Sequence, residues 1–204
     1  MPRIVAIADT HGEHSRVELP EGDVLIHAGD MTLRGTLEQL GHVANWLCKQ
    51  PHPHKIVIAG NHDFALQRDP VHARALFHGL TFLEDSEATV AGLRIWGSPW
   101  QPWFHDWAFN LRRGAEIDAK WRLIPAGIDV LVTHGPPLGY GDLVHRGERV
   151  GCEDLLRHLS RVKPRLHLFG HIHEDRGEWQ LGPTRIVNCT TSEGDLPATV
   201  IDLP

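Results

Sequence analysis

The chain has 204 residues, 41% of them hydrophobic, and a formal net charge of −6 with its histidines neutral. The length suits a single domain, 1–204, with a sizeable core. The acidic balance, with a pI near 6.2, argues against nonspecific binding to polyanions such as DNA.

In chain order, the periodicity predicts a buried strand over 3–8 and a second over 23–28, both rich in Ile, Val and Leu. A helix follows over 36–49, with Leu37, Leu40, Ala44 and Leu47 on one face. Residues 55–59 form a third strand, and 71–77 a shorter helix. Residues 96–107 hold four of the seven tryptophans, and Pro99 and Pro102 make them a loop. A strand over 128–132 precedes a helix over 152–163, whose Leu155, Leu156, Leu159 and Val162 share a face and which stops before Pro164. Strands over 165–169, 184–188 and 198–203 complete the chain. No apolar run approaches the roughly 20 residues of a membrane span. The first strand begins so early that no signal peptide is expected, so the predicted location is cytoplasmic. Cys48, Cys152 and Cys189 are scattered with no metal-binding spacing and read as reduced thiols. Of the sixteen histidines, His52, His54, His72 and His78 read as exposed surface residues.

Five of the strands end in short motifs made of metal-ligand residues. These are Asp9-Thr10-His11, Gly29-Asp30, Gly60-Asn61-His62-Asp63, Thr133-His134-Gly135 and Gly170-His171-Ile172-His173. The carboxyl ends of strands in open α/β sheets are where ligands bind. Five such ends on one edge bring distant residues together. Three carboxylates, an amide oxygen and five imidazoles exceed what any fold needs for stability. A pair of divalent cations about 3.5–4 Å apart does need them, and such pairs cleave phosphoesters. Imidazole with carboxylate suits Mn, Fe, Co, Ni or Zn better than Mg or Ca.

These motifs, from Asp9 to His173, resemble those of the calcineurin-like metallophosphoesterase superfamily. A closer resemblance is to the small metallophosphoesterase-domain (MPPED-type) proteins. It rests on Gly97-Ser98-Pro99-Trp100-Gln101-Pro102, on Thr133-His134-Gly135-Pro136-Pro137-Leu138-Gly139, on Arg149-Val150-Gly151-Cys152 and on the run from Pro164 to Glu174. Thr133 stands where many superfamily members have glycine, but the closer group shares it. Some animal members of that group have lost a histidine of the last motif; His171 is present here. The resemblance implies an α/β fold of two mixed sheets packed face to face and flanked by helices, a four-layer sandwich with its site at one edge.

The resemblance also implies two divalent metal ions, with manganese favoured. Asp9, His11 and His173 would hold one, Asn61, His134 and His171 the other, and Asp30 would bridge them. His62 would be the catalytic histidine, with metal ligation as its alternative role. Asp63 would orient the His62 ring, cap the following helix, or both. Two readings are open for the aromatic stretch: a pocket wall that stacks on a nucleobase, with Trp100 as the substrate contact, or a hydrophobic plug over one sheet. Arg112 and Arg113 read as solvated surface charge, with contact to a substrate phosphate as the alternative. The expected activity is phosphodiester hydrolysis by a metal-bridged hydroxide, with Asn61 holding the phosphate and cyclic nucleotides or related small phosphodiesters as substrates. A phosphomonoesterase or protein phosphatase is the alternative enzyme. A non-catalytic scaffold is the alternative of another class. A small phosphoester is the expected partner; the sequence is silent on oligomeric state.

Overall fold

The structure is a computed structural model that describes residues 1–203; Pro204, the last residue of the predicted domain, lies outside the described residues. The first half of the chain comprises β1 (Arg3–Ile7), β2 (Val24–Ala28), α1 (Leu37–Cys48), β3 (His54–Ile58), α2 (Phe64–Arg68), α3 (Pro70–Ala75), β4 (Thr81–Phe82), β5 (Ser86–Val90) and β6 (Leu93–Ser98). The second comprises β7 (Gln101–Pro102), β8 (Asn110–Leu111), α4 (Ala115–Trp121), β9 (Val130–Thr133), α5 (Glu153–Val162), β10 (Leu166–Phe169), β11 (Gly177–Leu181), β12 (Thr184–Asn188) and β13 (Thr199–Asp202). One sheet has the order β13-β1-β2-β3-β4 and the other β11-β12-β10-β9-β6-β5, with β7 and β8 forming a small separate ribbon. Within each sheet the central strands run parallel, and β13, β11 and β5 are antiparallel edge strands.

The central strands are buried on both faces, which explains their continuous apolar runs. Alternate side chains divide between two layers. Ile4, Ala6, Ile26, Ile56 and Ile58 of the first sheet meet Ile95, Val130, Val132 and Leu168 of the second in an inner core. Val5, Leu25 and Val57 point the other way, onto Leu40, Val43, Ala44 and Leu47 of α1. Leu131 and Phe169 likewise face Trp121 of α4 and Leu155 and Leu159 of α5. The result is the expected four-layer sandwich.

α1 begins at Thr36, whose side chain accepts from the Gln39 amide at 3.2 Å and caps the helix. The predicted face is shifted: Leu37, which opens the first turn, is exposed, and Val43 joins Leu40, Ala44 and Leu47 in the core. α5 stops at Lys163 in a left-handed conformation just before Pro164. The predicted loop over 96–107 is only partly a loop. Trp96 to Ser98 complete β6, paired to β5 and β9, because the apolar run from Leu93 continues until Pro99 halts it. His52 is buried rather than exposed, its Nε2 lying 2.9 Å from the Pro20 carbonyl.

Leu168 lies fully buried in the inner core between the two sheets. Leu168→Ala should lower the unfolding free energy by about 2–5 kcal/mol, read from the midpoint of urea denaturation. A loss well under 1 kcal/mol would mean that the inner core closes over the cavity.

Candidate metal centre

The five motifs lie at the carboxyl ends of β1, β2, β3, β9 and β10. Backbone hydrogen bonds continue past the strands and lock these ends together. The Asp9 amide donates to the Gly29 carbonyl, His11 to Asp30, and Gly170 to His134, each at 3.0 Å. The two sheets are joined as well. The His171 amide donates to both carboxylate oxygens of Asp9, at 3.0 and 2.9 Å. His134 reaches across to the Ala28 carbonyl through Nδ1, at 3.0 Å.

The local backbone is strained to achieve this. Asp9, His11, Asp30 and His171 have φ values of 55°, 45°, 54° and 71°, in the left-handed region that non-glycine residues rarely enter. Such strain clusters at functional sites. The glycines make room: a Cβ on Gly60 would collide with the amide nitrogen and Oδ1 of Asp30 and lie 2.8 Å from the His134 ring.

The side chains converge. Asp30 Oδ1 accepts from the His62 amide at 2.8 Å, while Nε2 of His134, His11 and His62 surround Oδ2 at 3.3, 3.8 and 4.0 Å. Asn61 Oδ1 lies 2.9 Å from His134 Nε2. His173 Nε2 lies 3.9 Å from Asp9 Oδ1. Three sets of ligand atoms fall within metal-binding reach of one another: Asp9, His11 and His173; His11, Asp30 and His62; Asp30, His134 and His171. All seven sequence-predicted ligands and His62 therefore gather in one cleft.

The electrostatics suit a cation. Burial disfavours the His134 imidazolium, but Asp30 and then Asp9 outweigh it and raise this histidine to about 9. Asp30 is itself buried, yet His134 and His11 hold its carboxyl well below the usual range. His11 and His171 are pushed down by burial above all, His171 to about 3, so they are neutral and able to ligate. Because Nδ1 of His134 is committed to a carbonyl, Nε2 is the ring nitrogen left to face a cation. A buried carboxylate ringed by imidazoles, with a His134 proton that a cation would displace, fits divalent transition metals.

Asp63 does something other than predicted. Its carboxylate is fully buried and accepts from the amides of Gly60 (2.9 Å), Met31 (3.3 Å) and Thr32 (3.0 Å) and from the Thr32 hydroxyl (2.8 Å). It makes no capping bond to α2. The His62 ring is oriented instead by the Leu33 carbonyl, 2.9 Å from Nδ1. Asp63 thus pins the loop after β2 to the loop after β3. Burial and then Asp30 raise its carboxyl to about 6, and the donors around it favour the ionised form.

Trp100 is also placed differently. Its Nε1 donates to Asp85 Oδ2 at 2.9 Å, its ring meets Phe109 edge-on, and Lys120 Nζ lies 4.3 Å over its face. It plugs the sheet flank and does not line the metal cleft. The aromatic side chain at the cleft is Trp107, whose ring centroid is 4.1 Å from that of His62, with Phe104 nearby. Leu33, His145, Ser192 and Glu193 also line the cleft, and no motif marked them.

Two buried pairs behind the ligands also escaped sequence reading. Thr10 Oγ1 lies 3.0 Å from His27 Nε2, and Thr133 Oγ1 2.8 Å from His167 Nε2. Each hydroxyl donates to a carbonyl, of Met31 and Gly135 respectively, so each imidazole donates through Nε2. Burial pushes both histidines to about 3, which keeps them neutral. The available signal was a histidine inside an otherwise apolar buried strand.

The calcineurin-like phosphoesterase family model matches residues 2–175, and the chain belongs to that family. It is 43% identical to human metallophosphoesterase domain-containing protein 1, covering 99% of this chain and 71% of that protein. It is 38% identical to a UPF0046 protein of Caenorhabditis elegans, covering 99% and 60%. The fold is similar to that of the Mycobacterium tuberculosis phosphopantetheinyl hydrolase, with a TM-score of 0.60 at 14% identity, covering 92% of this chain and 88% of that one. It is also similar to TT1561 of Thermus thermophilus, with a TM-score of 0.63 at 14% identity and 98% of each chain covered. The family makes this a metal-dependent phosphoesterase.

Gly60→Ala should push Asp30 and the His134 ring apart. Affinity for manganese should fall on the order of 10–100-fold, measured by titration calorimetry. Unchanged affinity would show that the loop after β3 yields without cost.

Proposed function

We propose that the chain is a binuclear phosphodiesterase that hydrolyses small phosphodiesters, cyclic nucleotides among them, with manganese as the favoured metal. The observation that carries the diester assignment is the charge of the cleft. Among the described residues that line it there is no lysine or arginine, whereas Glu174 and Glu193 both face it. A phosphomonoester dianion needs extra cationic clamps; a diester monoanion does not. Arg176, near the last motif in sequence, is committed to the carbonyls of Thr190 and Pro197, and Arg34 is exposed.

Asp9, His11 and His173 would hold one metal and Asn61, His134 and His171 the other, with Asp30 between them; two of the observed ligand sets support this division. When bound, such a pair lowers the pKa of water and neutralises charge building on the phosphoryl oxygens. The Asn61 amide donates to a nonbridging oxygen. With Nδ1 tied to Leu33, His62 presents Nε2 to the cleft and protonates the departing oxygen. The Trp107 ring packs against that imidazole at 4.1 Å between centroids. The retention of His62 and of every predicted ligand favours catalysis over a scaffold role.

Chelator should abolish hydrolysis of a chromogenic diester, and added manganese should restore it, with diesters preferred over the matching monoester. A clear preference for the monoester would defeat the diester assignment.

His62→Ala should retain both metals by elemental analysis and lower kcat by about 10²–10⁴, less for substrates with good leaving groups. Loss of one metal in this variant would make His62 a ligand instead.

A further inference from the structure

A second pocket opens beside the metal cleft, with a volume of about 410 Å³, within the range of small-molecule sites. It shares Phe104, His145, His171 and Glu174 with the cleft. A group attached to a phosphate at the metals therefore lies within reach of it. Its walls are Pro102, Trp103, Phe104, Pro136, Val144 and Val150.

Trp103 and Phe104, which line it, expose 59% and 51% of their surface. Large apolar side chains left in water around a pocket mark a site that something apolar covers. The polar groups of the pocket are already engaged or sit on its rim. The Arg113 guanidinium donates to the carbonyls of Val150 and Gly151, each at 2.7 Å, which fixes the Val150 wall. His145 lies 3.6 Å from Glu174. Arg146 is exposed. Among the described residues lining the pocket there is no asparagine, glutamine, serine, threonine or aspartate. A nucleobase brings a full edge of donors and acceptors that must find partners once out of water. A hydrocarbon group brings none.

We propose that this pocket receives one bulky, uncharged hydrocarbon ester group, aryl or alkyl, of a phosphodiester whose phosphate sits at the metal centre. The inference rests on the phosphodiesterase reading above. Substrate preference then follows the retained ester group: hydrocarbon esters are favoured, and nucleoside esters gain nothing from the pocket.

The test uses the manganese-loaded full chain and three diesters with the same para-nitrophenyl leaving group. They are the methyl, the phenyl and the thymidine esters of para-nitrophenyl phosphate. With charge and leaving group constant, differences report the retained group. The phenyl ester should exceed the methyl ester in kcat/KM by about tenfold or more, mainly through KM, and the thymidine ester should not exceed the methyl ester. In Trp103→Ala and in Val150→Arg, the phenyl-to-methyl ratio should fall towards one. Equal kcat/KM for phenyl and methyl esters in the wild type would overturn the pocket and leave the phosphodiesterase reading standing. A thymidine ester preferred to both would overturn it in favour of a nucleoside site. No metal-dependent hydrolysis of any of the three would overturn both readings.

Discussion

The two sheets meet at their carboxyl edges through a few buried hydrogen bonds that cross between them. The His171 amide grips both oxygens of Asp9, and the His134 imidazole grips the Ala28 carbonyl. Each sheet by itself holds only part of the candidate ligand set: Asp9, His11, Asp30 and Asn61 on one side, His134, His171 and His173 on the other. Only when the inner core sets the sheets at the right spacing do the halves share a metal-sized gap. Close packing of Ile26, Ile58, Val132 and Leu168 therefore bears on the site, although none of them touches it.

That registration carries a cost in backbone strain. Four of the predicted ligands occupy the left-handed region, at about 1–3 kcal/mol each. The surrounding structure holds them there. Asp63 gathers the loops after β2 and β3 around one carboxylate. The Thr10–His27 and Thr133–His167 pairs brace the loops after β1 and β9 from beneath. The two braces have the same form, a threonine beside a ligand and a neutral buried histidine from the neighbouring parallel strand. Rigid support of this kind keeps the imidazoles aimed without relying on the ion alone.

Around this centre the charge pattern differs from that of a clamp for dianions. The lining combines imidazoles, two glutamates, Leu33 and aromatic rings. The adjoining pocket is walled by proline, valine and aromatic side chains. Within the cleft, positive charge would come from bound ions, while Arg113 and Arg146 belong to the adjoining pocket. Trp107, tilted against His62 with ring centroids 4.1 Å apart, lines the same cleft.

Much of this was legible in the amino-acid sequence. The strands leading into the five motifs, the α1 and α5 helices, the ligand residue types and the family follow from local patterns: apolar runs, helical spacing, and glycine, aspartate and histidine at strand ends. Short elements such as β4, β11 and α2 were not, because two to five residues carry too little periodicity. Residue type alone could not assign Asp63, whose partners at Met31 and Thr32 lie 32 and 31 positions away in the chain. Nor could it separate Trp100, held by Asp85 and Lys120, from Trp107, a few residues later and against His62. A sequence states which groups are available and which stretches are buried. Which of them face one another is decided by how two sheets, formed by distant segments, settle on a common core, since directed contacts between side chains depend on distances that no local pattern encodes.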